Sequence, residues 1–155
     1  MHELTRAGVL EALLARRVFA SRVRGLRLDA ACQGVRMGGT VPAARALSSA
    51  RRGARPVRVQ VDLDAGAAWR GRRLSVQALR TGRRMPTLAA AVEVTLPSPA
   101  EPVVCFEVPV EEAGGSWLVL RVSDPAQPAD PRATGPWAEL GCGLAYASPF
   151  WLEFA

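Results

Sequence analysis

The 155-residue chain contains no lysine, no isoleucine and no asparagine, and a single histidine. All twenty of its basic residues are therefore arginine. The missing residues have codons rich in A and T, so the arginine excess is the mark of a G+C-rich coding sequence before it is evidence of an anionic partner. The lone histidine, His2, sits at the N-terminal end. No Ser-His or Cys-His relay can be assembled from the remaining residues, because proton transfer to and from a nucleophile needs a base beside it. HxH, HExxH and CxxC motifs are absent, which removes the usual metal-ligand spacings. Three cysteines, Cys32, Cys105 and Cys142, are odd in number and far apart, so they build no disulfide framework. Reduced thiols in the cytoplasm are the expectation. No run approaches the ~20 apolar residues of a membrane span, and Met1 is not followed by a basic and then an apolar segment. The sequence predicts no membrane partner.

Charge is unevenly placed. Residues 45–84 hold eleven arginines against Asp62 and Asp64, a balance of +9, whereas residues 85–155 hold two arginines against nine acids, a balance of −7. The two halves can neutralise each other within one fold. The arginines lack the interleaved aromatics of a base-stacking platform, which argues against nucleic acid as a partner.

The segment "LTRAGVLEALLARRVFAS" sets Val9, Leu10, Leu13, Leu14 and Val18 at helical spacing, with Thr5 as N-cap and Arg16 and Arg17 near the C-terminal end. One amphipathic helix over 5–18 follows. No second helical period appears later, so its apolar stripe needs a sheet, or a domain outside this chain, to pack on.

From Gly25 onward the period changes to two. "GLRLDA" alternates Leu26, Leu28 and Ala30 with Arg27 and Asp29, and "VRVQVDL" places Val57, Val59, Val61 and Leu63 on one face. The pattern returns in "VRMGGTV", "RLSVQAL", "AAVEVTL", "VCFEVPV", "WLVLRVS" and the closing "LAYASPFWLEF", with "RTGRRMP", "PSPAEP" and "EEAGG" as turns between. Seven or eight strands at this spacing, each with one wet face, predict an antiparallel Ig-like β-sandwich preceded by the helix. Phe150, Leu152 and Phe154 then point one way, the last strand lies inside its own sheet, and Pro149 falls at an edge or bulge.

Two loops interrupt the rhythm. Residues 43–56 are small and basic and read as a disordered tip. Residues 124–143 carry Pro and Trp137 over a length no hairpin needs, and read either as a Pro-stiffened crossover or as a functional loop. Asp124 suits an Asx-turn at a strand end. Glu111 and Glu112 belong to a turn rather than an acid/base pair, Cys142 has no base beside it, and "GCGLAY" precedes a strand instead of the helix a dinucleotide fingerprint requires. The sequence accordingly predicts no catalytic, cofactor-binding or metal-ligating residue, and no cofactor held by this chain.

Two stretches go beyond generic sandwich signals. Residues 9–39, with Ala12 to Ser21 followed by Gly34, Met37 and Gly38, resemble the join at the end of the PHP (polymerase and histidinol phosphatase) superfamily of metal-dependent phosphoesterases, where a helix runs into a strand and a G-x-x-M-G turn. Trp117 to Pro125 and Tyr146 to Leu152 are similar to the C-terminal strand pair of its CehA/McbA-like branch. In that family His and Asp ligands on a distorted α/β barrel hold two or three divalent metals that activate a water. No ligand position falls within this sequence. The resemblance implies that residues 1–24 are the end of a barrel domain and residues 25–155 a C-terminal β-sandwich module without catalytic groups. Its partner is then a hydrolase domain, preceding or separately encoded, set against the helix stripe. Two other readings stand beside it: a self-standing Ig-like binding module for a protein or carbohydrate partner, and weak polyanion binding through 45–84.

Overall fold

A computed structural model describes residues 5–42, 56–96, 103–109, 117–128 and 141–153. Among these residues one α-helix, α1 (Arg6–Leu14), precedes eleven strands, with a 3-10 turn at Ala67–Trp69 between the fifth and sixth: β1 (Phe19–Ser21), β2 (Leu26–Cys32), β3 (Val35–Arg36), β4 (Thr40–Val41), β5 (Val57–Ala65), β6 (Arg73–Arg80), β7 (Thr87–Thr95), β8 (Val103–Val108), β9 (Trp117–Asp124), β10 (Cys142–Ala147) and β11 (Phe150–Leu152). They form two sheets packed face to face, the predicted mainly-β sandwich.

The smaller sheet runs β3-β2-β5-β8 and is antiparallel throughout. Period-two alternation explains its inner face: Leu26, Leu28, Ala30 and Cys32 from β2 meet Val57, Val59, Val61 and Leu63 from β5, all buried. Gln33 and Gly34 both take positive φ (50° and 77°), which makes the β2–β3 connection a two-residue hairpin whose twist matches its strands.

In the larger sheet β6 lies between β7 and β9, and the far edge of β9 is shared. β10 pairs with the Arg121–Asp124 end and β11 with Trp117 and Leu118. β10 and β11 are thus one strand broken at Ser148 and Pro149, as the position of Pro149 foretells. Beyond them β1 pairs antiparallel with β10 and β4 parallel with β11. Phe150 and Leu152 are buried between the sheets and Trp151 faces out; Phe154 lies outside the described residues.

Three expectations change. The strand count rises because "VRMGGTV" splits into β3 and β4 on different sheets, the last strand splits at Pro149, and Phe19–Ser21 adds a strand from within the segment assigned to the helix and its connector. The helix stops at Leu14 rather than continuing to Val18. Arg17 N–H donates to the Ala12 carbonyl (2.8 Å), Arg16 N–H donates to the Leu13 carbonyl (3.0 Å), and Arg16 is left-handed at φ 56°. This bond pair closes a helix C-terminus, with arginine where glycine is usual. The N-cap is as read: Thr5 Oγ1 accepts from Gly8 N–H at 3.1 Å.

The third change concerns the outer face of the larger sheet. On β6 and β9 the side chains of Ser75, Gln77, Leu79, Arg121 and Ser123 are buried, although they alternate with the core residues Leu74, Val76, Ala78, Leu120 and Val122. Both strands are interior to the sheet and are covered on both faces, so the wet face expected of "RLSVQAL" and "WLVLRVS" is instead a hydrogen-bonded polar layer.

Candidate functional site

Three places on the sandwich carry more than core packing. The first is that polar layer. Arg121 Nη1 donates to Gln77 Oε1 (2.5 Å), Nη2 to the Gly141 carbonyl (2.7 Å) and Nε to Tyr146 Oη (3.2 Å). Gln77 Nε2 in turn donates to Ser123 Oγ (2.6 Å) and Ser75 Oγ (3.2 Å). A buried guanidinium is expensive unless its donors are met, and here each nitrogen is. The layer is a structural cross-brace linking β6, β9 and β10. Gly143 lies under it, and an added Cβ there would come within 2.7 Å of Tyr146 Oη.

The second is a cleft of about 700 Å³ where β6 begins and β7 and β9 end, lined by Gly71, Arg72, Arg73, Glu93, Asp124 and Gln127 among others. Asp124 makes the predicted Asx-turn: Oδ1 accepts from Ala126 N–H (2.9 Å) and Oδ2 from Gln127 Nε2 (2.9 Å). The buried carboxylate also meets Arg72 Nη1 at 3.5 Å, and the Arg72 guanidinium lies 4.8 Å from the centroid of the Trp69 ring. Arg73 Nη1 reaches Glu93 Oε2 at 3.4 Å with both side chains largely in solvent. Trp69 is an aromatic set among the arginines of 45–84. Sequence reading passed over it, although a tryptophan followed by Arg70, Arg72 and Arg73 is a local signal open to inspection.

The third is α1. Its bulky side chains face away from the sandwich: Leu14 is 77% exposed, Leu10 56%, Leu13 55% and Val9 46%, and no residue of the helix is buried. The residues turned toward the body are small, since Ala12 and Ala15 are half-buried. The helix is not amphipathic in the ordinary sense, because Arg6 stands in line with Leu10 and Leu13 and the opposite side carries Gly8 and Ala12 rather than a charged face. Gly38 fixes the helix exit. It has φ +84°, and a Cβ there would lie 2.2 Å from the Arg16 carbonyl oxygen. Val18 and Phe19, which follow, are also exposed.

The described arginines of the basic segment do not converge on one face. Arg58 lies on the outer face of the smaller sheet against Cys105 Sγ (3.6 Å), Arg72 and Arg73 stand at one end of β6, and Arg80, Arg83 and Arg84 at the other. Seven residue steps of extended chain lead from Arg73 to Arg80, roughly 23 Å at strand rise. Residues 43–55 lie outside the described residues, as do His2, Glu111, Glu112 and Trp137.

All three cysteines are free. Burial pushes the Cys32 thiol up to about 12. Cys142 is half-buried with Arg22 Nη1 3.7 Å from its sulfur. Among the described residues no group of three or more His, Cys, Asp or Glu side chains is placed to hold a metal, and no helix is long and apolar enough to cross a membrane. The chain matches no protein-family model, no curated protein and no solved structure.

Proposed function

We propose that this chain is a non-catalytic β-sandwich module that seats on a metal-dependent hydrolase domain of the PHP type, with α1 as its docking element. The orientation of α1 carries the reading. Four large apolar side chains point outward on a helix whose small side leans on the sandwich. Apolar surface grouped in this way is the mark of an interface. The substrate chemistry belongs to the partner domain; the module shapes access to it or stabilises it.

The gene provides the test. Translation, in the same frame, of the DNA directly upstream of the Met1 codon, together with the adjacent reading frames, should yield a domain rich in His and Asp metal motifs. A nearby stop codon with no such domain encoded alongside overturns the proposal. So does stoichiometric Mn²⁺ or Zn²⁺ binding with phosphoester turnover by this chain alone.

One observation favours the second reading, a binding module for a protein or carbohydrate partner. The foot of the 124–143 loop, Asp124 to Gln127, lines the 700 Å³ cleft. That reading requires a stable, monomeric chain despite α1, which sedimentation measures directly. For a continuous polyanion groove the scattered arginines described between 58 and 84 give no support.

A further inference from the structure

We propose that the cleft beside Trp69 is a binding site for a doubly charged tetrahedral oxyanion, phosphate or sulfate, free or carried as an ester. The argument begins with what its carboxylates have left to offer. Asp124 already accepts from Ala126 N–H and Gln127 Nε2 and is ion-paired with Arg72 Nη1 at 3.5 Å, so its two oxygens are committed to the turn and are not open to a cation. Glu93 engages Arg73 only through a solvated contact at 3.4 Å, of a kind that stabilises little and exchanges readily.

The guanidinium groups have donors to spare. Among the described residues Arg72 pairs with Asp124 through Nη1 alone, and its guanidinium lies 4.8 Å from the centroid of the Trp69 ring. A planar guanidinium fork suits a tetrahedral oxyanion, which it can grip through two parallel N–H donors. Arg70, which precedes the lining residue Gly71 and lies outside the lining itself, is exposed and forms no ion pair with any described residue. Arg72 and Arg73 balance Asp124 and Glu93 in the cleft's lining, and Arg70 adds a further positive charge one residue outside it.

The turn that presents these arginines is pinned rather than loose. Gly71 N–H donates to the Leu96 carbonyl (2.5 Å), Leu96 N–H donates to the Arg72 carbonyl (2.9 Å) and Arg72 N–H donates to the Trp69 carbonyl (3.1 Å). Little ordering is therefore left to do on binding. At about 700 Å³ the cleft exceeds what a bare oxyanion fills and has room for the organic part of an ester.

The experiment titrates sodium phosphate, sodium sulfate and phenyl phosphate separately into the full chain at ionic strength held constant with chloride, read by calorimetry and by indole fluorescence. Saturable binding is expected for each, weakened about tenfold or more by Arg72→Met and unaltered by Arg83→Met in the distant β6–β7 turn. Tighter binding of phenyl phosphate assigns the cleft to an ester, and equal binding assigns it to the free ion. Arg73→Met, on a largely solvated side chain, carries the comparison should Arg72→Met not fold. Binding no stronger than the chloride background, or equal affinity in the folded Arg72→Met or Arg73→Met protein, overturns the assignment.

Discussion

Replacing Leu10, Leu13 and Leu14 by serine separates an outward docking face from a misplaced piece of core. A fully buried leucine contributes about 1.5–3 kcal/mol relative to exposure. These three keep most of their area in water, and α1 buries none of its residues. Each Leu→Ser change weakens the helix locally by about 0.5 kcal/mol through propensity, but the two sheets do not feel that loss. For a domain of this size the melting temperature should fall by less than about 4 °C. On docking, the three side chains would cover roughly two leucines' worth of accessible area, about 3–6 kcal/mol, or two to four decades in affinity. Calorimetric melting and sedimentation against concentration give the two readouts. The expected outcome is a variant that melts almost unchanged and stays monomeric at concentrations where the parent chain associates. A fall of 10 °C or more would show that the leucines support the sandwich, and the docking argument would be wrong.

Other consequences are as direct. Gly38→Ala forces a methyl against the Arg16 carbonyl in a left-handed conformation, and should cost roughly 2–3 kcal/mol in urea unfolding; an unaltered midpoint refutes the close approach. Arg121→Met strands the acceptors on Gln77, Gly141 and Tyr146 and should cost roughly 3 kcal/mol or more, whereas the double change with Gln77→Leu should cost less than the sum of the two single changes; additivity would deny the network. Cys32, with its thiol raised from 9.0 to about 12, stays protonated in the folded state while the unfolded chain ionises, so stability is fully present below pH 9 and lost progressively up to about pH 12. In native protein at pH 8 a thiol reagent should modify exposed Cys105 and spare Cys32, and fast labelling of Cys32 would contradict its burial.

The sandwich was legible because its strands obey one periodicity and bury what that periodicity lines up. Val57, Val59, Val61 and Leu63 needed no knowledge of their partners to be placed inside. Gln77 and Arg121 defeated the same reasoning. They lie 44 residues apart in sequence, and polar residues at alternate positions look like a solvent face until their hydrogen bonds to one another are seen. Helical spacing put Leu10, Leu13 and Leu14 on one side but is silent on direction, which is set by a contact between Arg16 and Gly38 across 22 residues. The basic segment misled for a related reason. Contiguity in sequence is not contiguity on a surface, and β6 carries Arg73 and Arg80 to opposite ends of the sheet. Among the described residues of that segment, the cluster proposed as an oxyanion site arises where a turn brings residues 69–73 beside Asp124, about a third of the chain away.

The broken strand formed by β10 and β11 governs the order in which the molecule can be made. Phe19 waits for Ala147 and Thr40 for Trp151, so neither half of the N-terminal edge of the larger sheet has a neighbour until the final strand has left the ribosome. Partners more than a hundred residues apart make for slow closure, and a nascent chain that has finished β9 still presents that strand's edge to any passing β-strand. Deleting only Phe150 to Leu152 would leave β1 and the Arg121–Asp124 end of β9 their neighbour in β10, but would strip β4 of its partner, uncover the edge at Trp117 and Leu118, and take Phe150 and Leu152 out of the core.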